Sequence, residues 1–125
     1  HERLPDAQAT IEKRSPVCGS RVTVDLSLGE DGRIVEVGLL VRACALGQAS
    51  SSLLAANILG RSPDELAAAR DALTAWLAQG GDAPQWPGLD VFAPALAYTA
   101  RHSSIRLAFE AAAEAAQSAA ARVTA

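Results

Sequence analysis

Methionine is absent from this sequence, lysine occurs once, cysteine twice, and only five of 125 residues are aromatic. Each scarcity excludes something. Two cysteines fall short of the four or more that staple small secreted domains, so reduced thiols in the cytoplasm are expected, both available to a metal. No apolar run approaches the ~20 residues of a membrane-spanning helix, and the N-terminus lacks the charged, apolar and small-residue order of a signal peptide. The lack of positive charge, a net −3, argues against a general nucleic-acid binder. With His1 first and no methionine, the chain reads as a processed or trimmed piece.

What is present suits one folded domain over residues 1–125. Half the residues are apolar and a fifth charged, ordinary values for a soluble core. Alanine fills 28 positions and arginine outnumbers lysine ten to one, a bias that fits a GC-rich bacterial genome. Alanine is also the best helix former, so the C-terminal third can be helical with few large side chains.

Residues 1–14 read as a flexible lead-in, the polar stretch ending at Pro16. From Arg21 to Leu28, Val22, Val24, Leu26 and Leu28 alternate with Thr23, Asp25 and Ser27, the pattern of a half-buried strand. Asp31-Gly32 makes a hairpin turn to a second strand over about 33–42, and residues before Pro16 offer a third. Leu46, Ala49, Leu53, Ala56 and Ile58 then recur at helical spacing, with Gly60 as the stop. Ser62-Pro63-Asp64-Glu65 is a capping box with proline at the first helical position. It opens a helix that lays Leu66, Ala69, Leu73, Trp76 and Leu77 on one side and ends at Gly80-Gly81. Residues 82–100 concentrate prolines and aromatics, which predicts an ordered loop with a helical turn near Leu89–Ala93. A last helix runs from Ser103 or Ser104 toward Arg122, burying Ile105, Phe109, Ala112 and Ala116. Strands first and helices after give an α+β domain, a small antiparallel sheet with helices on one face.

Three side chains carry metal chemistry. Cys18 lies in a tight loop just before the first strand of the hairpin, Cys44 where the second strand gives way to a helix, and His102 just ahead of the last helix. Each stands at the end of an element, so they can converge. A thiol at a helix N-terminus ionises more easily, and thiolate with imidazole suits Zn²⁺ or an iron–sulfur cluster. On the residues alone, buried cysteines that merely pack and a surface histidine are the commoner arrangement, and it is resemblance that favours the metal.

The string Ser15-Pro16-Val17-Cys18-Gly19-Ser20, then Asp31-Gly32-Arg33-Ile34-Val35, then Cys44 followed by Ala49-Ser50-Ser51-Ser52, and finally Gly60-Arg61-Ser62, resembles the NifU/IscU-type iron–sulfur cluster assembly scaffold family. The family pattern is N-P-x-C-G-D, a hairpin, a second cysteine, A-S-x-S and G-K-S. The long interval filled by Pro84 to Tyr98 looks like the SufU-type branch, which carries an insertion before its third ligand. There Arg101-His102-Ser103 stands where that branch has A-R-x-K-C. The resemblance implies a scaffold or carrier and not an enzyme. It also implies a Zn²⁺ ion or a [2Fe–2S] cluster at Cys18, Cys44 and His102, with Ser20, Arg101 and Ser103 as neighbours or fourth-ligand candidates. Its partners would be a cysteine desulfurase and recipient apo iron–sulfur proteins, with no nucleic acid or membrane involved and a monomer or dimer as the working state. Two departures are notable: Ser20 replaces the family's aspartate, and His102 stands where a thiol is usual. A zinc-stabilised interaction or regulatory module that has lost transfer is the alternative, and a metal-free domain whose cysteines merely pack is a third. Ser50, Ser51 and Ser52 read as packing residues, Trp76 and Trp86 as core or loop anchors, and Glu110 and Glu114 as a wet helix face.

Overall fold

Three strands form one antiparallel sheet in the order β1-β2-β3: β1 (Ala9–Arg14), β2 (Arg21–Leu28) and β3 (Ile34–Arg42). The computed structural model describes residues 2–16 and 19–124. Helices α1 (Ala45–Asn57), α2 (Pro63–Gln79) and α3 (His102–Thr124) follow, with 3-10 segments at Leu89–Ala95 and Thr99–Arg101 between the last two. The α+β expectation holds, including the third strand. A flexible lead-in through residue 14 does not: residues 9–14 pair with β2 from Ala9↔Leu26 to Arg14↔Arg21. Only Ala9 and Ile11 mark its inner face, too few apolar positions to announce a strand.

The inner face of the sheet carries Val22, Val24, Leu26 and Leu28 on β2, with Ile11, Val37, Leu39 and Val41 beside them. Helix α3 lies across this face and also touches α1 and α2, so the most alanine-rich element is the centre of the molecule. Its Ala111, Ala112, Ala113, Ala115 and Ala116 are all fully buried. Small side chains let the helix sit close to the sheet while Ile105 and Phe109 fill the gaps.

β2 departs from the half-buried reading. Thr23, Asp25 and Ser27, on the face opposite the helices, are buried as well. Residues 2–4 cross that face at Gly38, where an added Cβ would meet the Glu2 carbonyl oxygen at 2.5 Å and the Leu4 nitrogen at 2.8 Å. The Asp25 carboxylate is fully buried beneath this segment. It accepts from Arg3 Nε at 2.6 Å, the Leu4 amide at 3.1 Å and Thr10 Oγ1 at 2.6 Å. Burial pushes its pKa up, but the hydrogen bonds from Arg3, Thr10 and Leu4 prevail and hold it below the ordinary carboxylate value.

The capping box at the start of α2 is complete: Glu65 N donates to Ser62 Oγ, and Ser62 N to Glu65 Oε1. The stretch between α2 and α3 is anchored by Trp86, whose indole N–H donates to the Leu53 carbonyl at 2.9 Å. The Trp86 ring meets Phe109 edge-on at 5.2 Å, with the Arg61 guanidinium 4.4 Å above it. The aromatic contact alone is worth about 0.5–1.5 kcal/mol. Trp76 is buried too, as expected of an anchor. Glu114 is exposed yet pairs with Lys13 at 2.9 Å, which ties α3 to β1.

Candidate functional site

Antiparallel pairing brings the end of β1, the start of β2 and the end of β3 to one edge of the sheet, and α1 and α3 both begin there. The described candidates Ser20, Cys44, Arg101, His102 and Ser103 belong to this end. Cys18 and Val17 lie outside the described residues, but the loop that carries them is closed on both sides. Ser15 N donates to the Ser20 carbonyl at 2.8 Å and Gly19 N to the Ser15 carbonyl at 3.2 Å. Ser15 Oγ and Ser103 Oγ are 3.0 Å apart, which ties the loop to the first turn of α3. Ser20 is buried, and its backbone carbonyl serves this closure.

Cys44 is the N-cap of α1, with extended backbone (φ −66°, ψ 176°) and a half-buried side chain. Its carbonyl accepts the first helical bond, from Gln48 N at 2.9 Å, and its thiol does not cap the helix. The helix behind it packs differently from expectation. Ala49 and Ala56 are exposed, Leu46 and Leu53 half-buried, and the buried face is Gly47, Ser50, Ser51, Leu54 and Ala55. The reason is close approach to α3. Ser50 Oγ donates to the Ile105 carbonyl at 2.6 Å, and a Cβ on Gly47 would lie 3.5 Å from the Ser104 carbonyl oxygen. Ser51 Oγ donates back to the Gly47 carbonyl at 2.8 Å. The serines therefore satisfy themselves on backbone oxygens, which lets a polar face be buried. None is poised as a nucleophile; Ser52 is exposed.

His102 opens α3 and is 8% exposed. Its Nε2 is 3.2 Å from the Ala95 carbonyl oxygen and 3.1 Å from that of Leu96. Carbonyls only accept, so Nε2 carries the proton and donates, and a neutral ring then has its lone pair on Nδ1. This is how a metal-binding histidine is commonly oriented, one nitrogen on a backbone carbonyl and the other toward the ion. The same bonds close the C-terminal end of the Leu89–Ala95 segment. Among the described residues no three His, Cys, Asp or Glu side chains gather as a metal-binding group.

Arg101 is exposed, and with Leu46, Pro94, Ala95 and Tyr98 it borders a groove of about 390 Å³ beside the site. Sequence reasoning missed two contributors. Ser15 stood inside a motif with no assigned role, although it holds Ser103. The Ala95 and Leu96 carbonyls act through backbone atoms, which leave no residue-type signal. No helix among the described residues is long and apolar enough to cross a membrane.

Comparison with known proteins follows the same lines. The chain superimposes on the N-terminal part of a nitrogen-fixing NifU-like protein from Brucella abortus with a TM-score of 0.90 and 40% identity, covering 95% of this chain and 83% of that one. A SUF-system protein from the thermophile Fervidobacterium islandicum AW-1, assigned as an iron–sulfur cluster assembly scaffold, matches with a TM-score of 0.81. Identity there is 21%, over 93% of this chain and 85% of that one, a likeness of fold. No curated protein matches the sequence. The family described as the NifU-like N terminal domain matches residues 3–84, and with the 40% identity to the Brucella protein this chain belongs to that NifU/IscU-type family.

Proposed function

We propose that this protein is a non-catalytic scaffold or carrier in iron–sulfur cluster assembly, holding a metal or a [2Fe–2S] cluster through Cys18, Cys44 and His102. The observation that carries the reading is the orientation of His102, buried with Nε2–H on two carbonyls and Nδ1 left as a donor atom. Its neighbour Ser103 bonds Ser15, and Ser50 in the second turn of α1 bonds the Ile105 carbonyl of α3. Two thiolates and one neutral imidazole balance the charge of Zn²⁺, so a half-buried site of this composition carries no net charge. Zinc would keep the three chain segments together, and a fourth position would remain for water, Ser20 or a partner's group.

With three protein ligands a cluster would be incompletely held, and therefore transferable. Sulfur would come from a cysteine desulfurase and the assembled cluster would pass to recipient apo-proteins. Arg101 beside the site supplies a positive charge for the sulfur-bearing or acidic group of such a partner. The family and the architecture shared with the Brucella protein support this reading.

The test is metal analysis of protein purified without oxygen, followed by reconstitution with ferrous iron, cysteine, a desulfurase and a thiol reductant that supplies the electrons to convert persulfide sulfur to sulfide. Expected are stoichiometric metal and a visible cluster absorption in the wild type, both lost in His102→Ala, Cys18→Ser and Cys44→Ser. Unchanged metal in His102→Ala would remove His102 from the ligand set. Tightly bound zinc that iron and sulfide do not displace would instead identify a zinc-stabilised module, and a wild type without metal would leave the cysteines as packing residues.

A further inference from the structure

The strand register aligns three arginines. Arg14 stands opposite Arg21, and Arg21 opposite Arg42, one from each strand at the edge where the site lies. Residues directly opposite in a sheet share a face. Here it is the outer one, because the neighbouring row of Lys13, Val22 and Val41 turns toward the helices. Like charges directly opposite oppose strand pairing, so the row has no evident use in folding. One carboxylate answers it: Glu12 Oε1 is 3.0 Å from Arg14 Nε and 3.7 Å from an Arg21 terminal nitrogen. Arg42 is exposed and makes no ion pair among the described residues. Between Arg21, Arg42 and Glu12 a shallow cleft of about 380 Å³ opens, floored by Thr23 and Leu40, the latter 42% exposed.

We propose that this outer face of the sheet docks an acidic segment of a partner protein, whatever Cys44 and His102 bind. Charge complementarity selects the occupant. Three guanidiniums against one carboxylate form a local positive surface on a chain of net charge −3, and planar guanidinium forks match carboxylates. The exposed Leu40 in the floor suits a side chain of a peptide. A nucleic acid would meet the Glu12 carboxylate beside Arg14 and Arg21 and an overall negative protein. Docked there, a partner stands at the same edge of the sheet as Cys44 and the start of α3.

The probe is a fluorescein-labelled decaglutamate peptide, with binding to the full chain followed by anisotropy at about 20 mM and about 200 mM salt. Saturable binding is expected at low salt, weakened by the added salt and by about tenfold in the combined R14Q/R21Q/R42Q variant, the sum of three exposed charge contacts. The R33Q/R70Q variant, changed on other surfaces, should bind as the wild type does. Thermal melting of the triple variant should match or exceed that of the wild type. If it unfolds, R42Q alone, which breaks no ion pair among the described residues, should still weaken binding about twofold. The proposal is overturned by absent binding, by equal binding of the wild type and R42Q, by equal loss in R33Q/R70Q, or by an oligothymidylate binding as tightly as the peptide.

Discussion

Ser15 Oγ and Ser103 Oγ lie 3.0 Å apart although they are 88 positions apart in sequence, and this contact joins the segment that leads into the Cys18 loop to the turn that presents His102. Ser15 is buried and Ser103 partly so, which makes the bond both a stabilising and a positioning element. Ser15→Ala should lower stability by about 1 kcal/mol, the net value of an ordinary hydrogen bond. On the proposed reading it should also weaken zinc several-fold, because the loop is no longer fixed against α3. Denaturant unfolding of the apo form and a competition titration with a zinc chelator measure the two effects separately. Lost stability with unchanged zinc affinity would make the contact purely structural.

His102 combines two roles that substitution can separate. Its Nε2–H holds the Ala95 and Leu96 carbonyls, and its Nδ1 is the proposed ligand. Glutamine places an amide N–H close to where Nε2 sits, whereas alanine removes both functions. His102→Gln should keep most of the apo-protein's stability, while His102→Ala costs roughly 1–3 kcal/mol through the unsatisfied carbonyls and the cavity. Both variants should lose the metal. If His102→Gln retains metal, the imidazole serves only to close the Leu89–Ala95 segment.

How far the sequence foretold this structure depends on where the information resides. The α2 boundary was legible to the residue because a capping box is written in consecutive side chains, and all four residues of Ser62-Pro63-Asp64-Glu65 act as their types suggest. The hairpin and the alanine-rich α3 were legible from alternation and composition. The buried face of α1 was not. Periodicity selects large apolar residues, but a helix that approaches another closely buries its glycine and serines, as Gly47 and Ser50 do here. Nor does Asp25 differ by type from a solvent-facing aspartate; its burial depends on residues 2–4 folding back over Gly38. The arginine row exists only once the register is known.

Asp25 gives the fold a definite acid dependence. Its folded pKa lies below the ordinary value, since the hydrogen bonds from Arg3, Thr10 and Leu4 outweigh burial. A lowered carboxylate contributes stability above its unfolded pKa of about 3.9, and that contribution is lost as pH falls through the folded value. The melting temperature should therefore fall as pH drops below about 4. Asp25→Asn should flatten that slope and cost roughly 1–3 kcal/mol at neutral pH, because a neutral amide cannot satisfy all the donors that meet there. Thermal melts across the acid range compare the two proteins, and parallel curves would rule out Asp25 as the source.

Gly47 sets the distance between the start of α1 and the residues around Cys44. A Cβ there would lie 2.6 Å from the Ala43 Cβ, closer than two carbons can approach, and neither atom can swing away. Alanine in a helix is worth about 1 kcal/mol over glycine, yet overpacking of this kind costs about 1–3 kcal/mol. The two effects nearly cancel, so Gly47→Ala should change global stability by less than about 2 kcal/mol. The local effect does not cancel. Ala43 must move, and it is bonded to Cys44, whose thiol is half-buried. In a Cys18→Ser background the variant should therefore alkylate at Cys44 faster than its parent does. If the rate is unchanged while stability falls, the strain has been relieved elsewhere and Gly47 serves the α1–α3 contact alone.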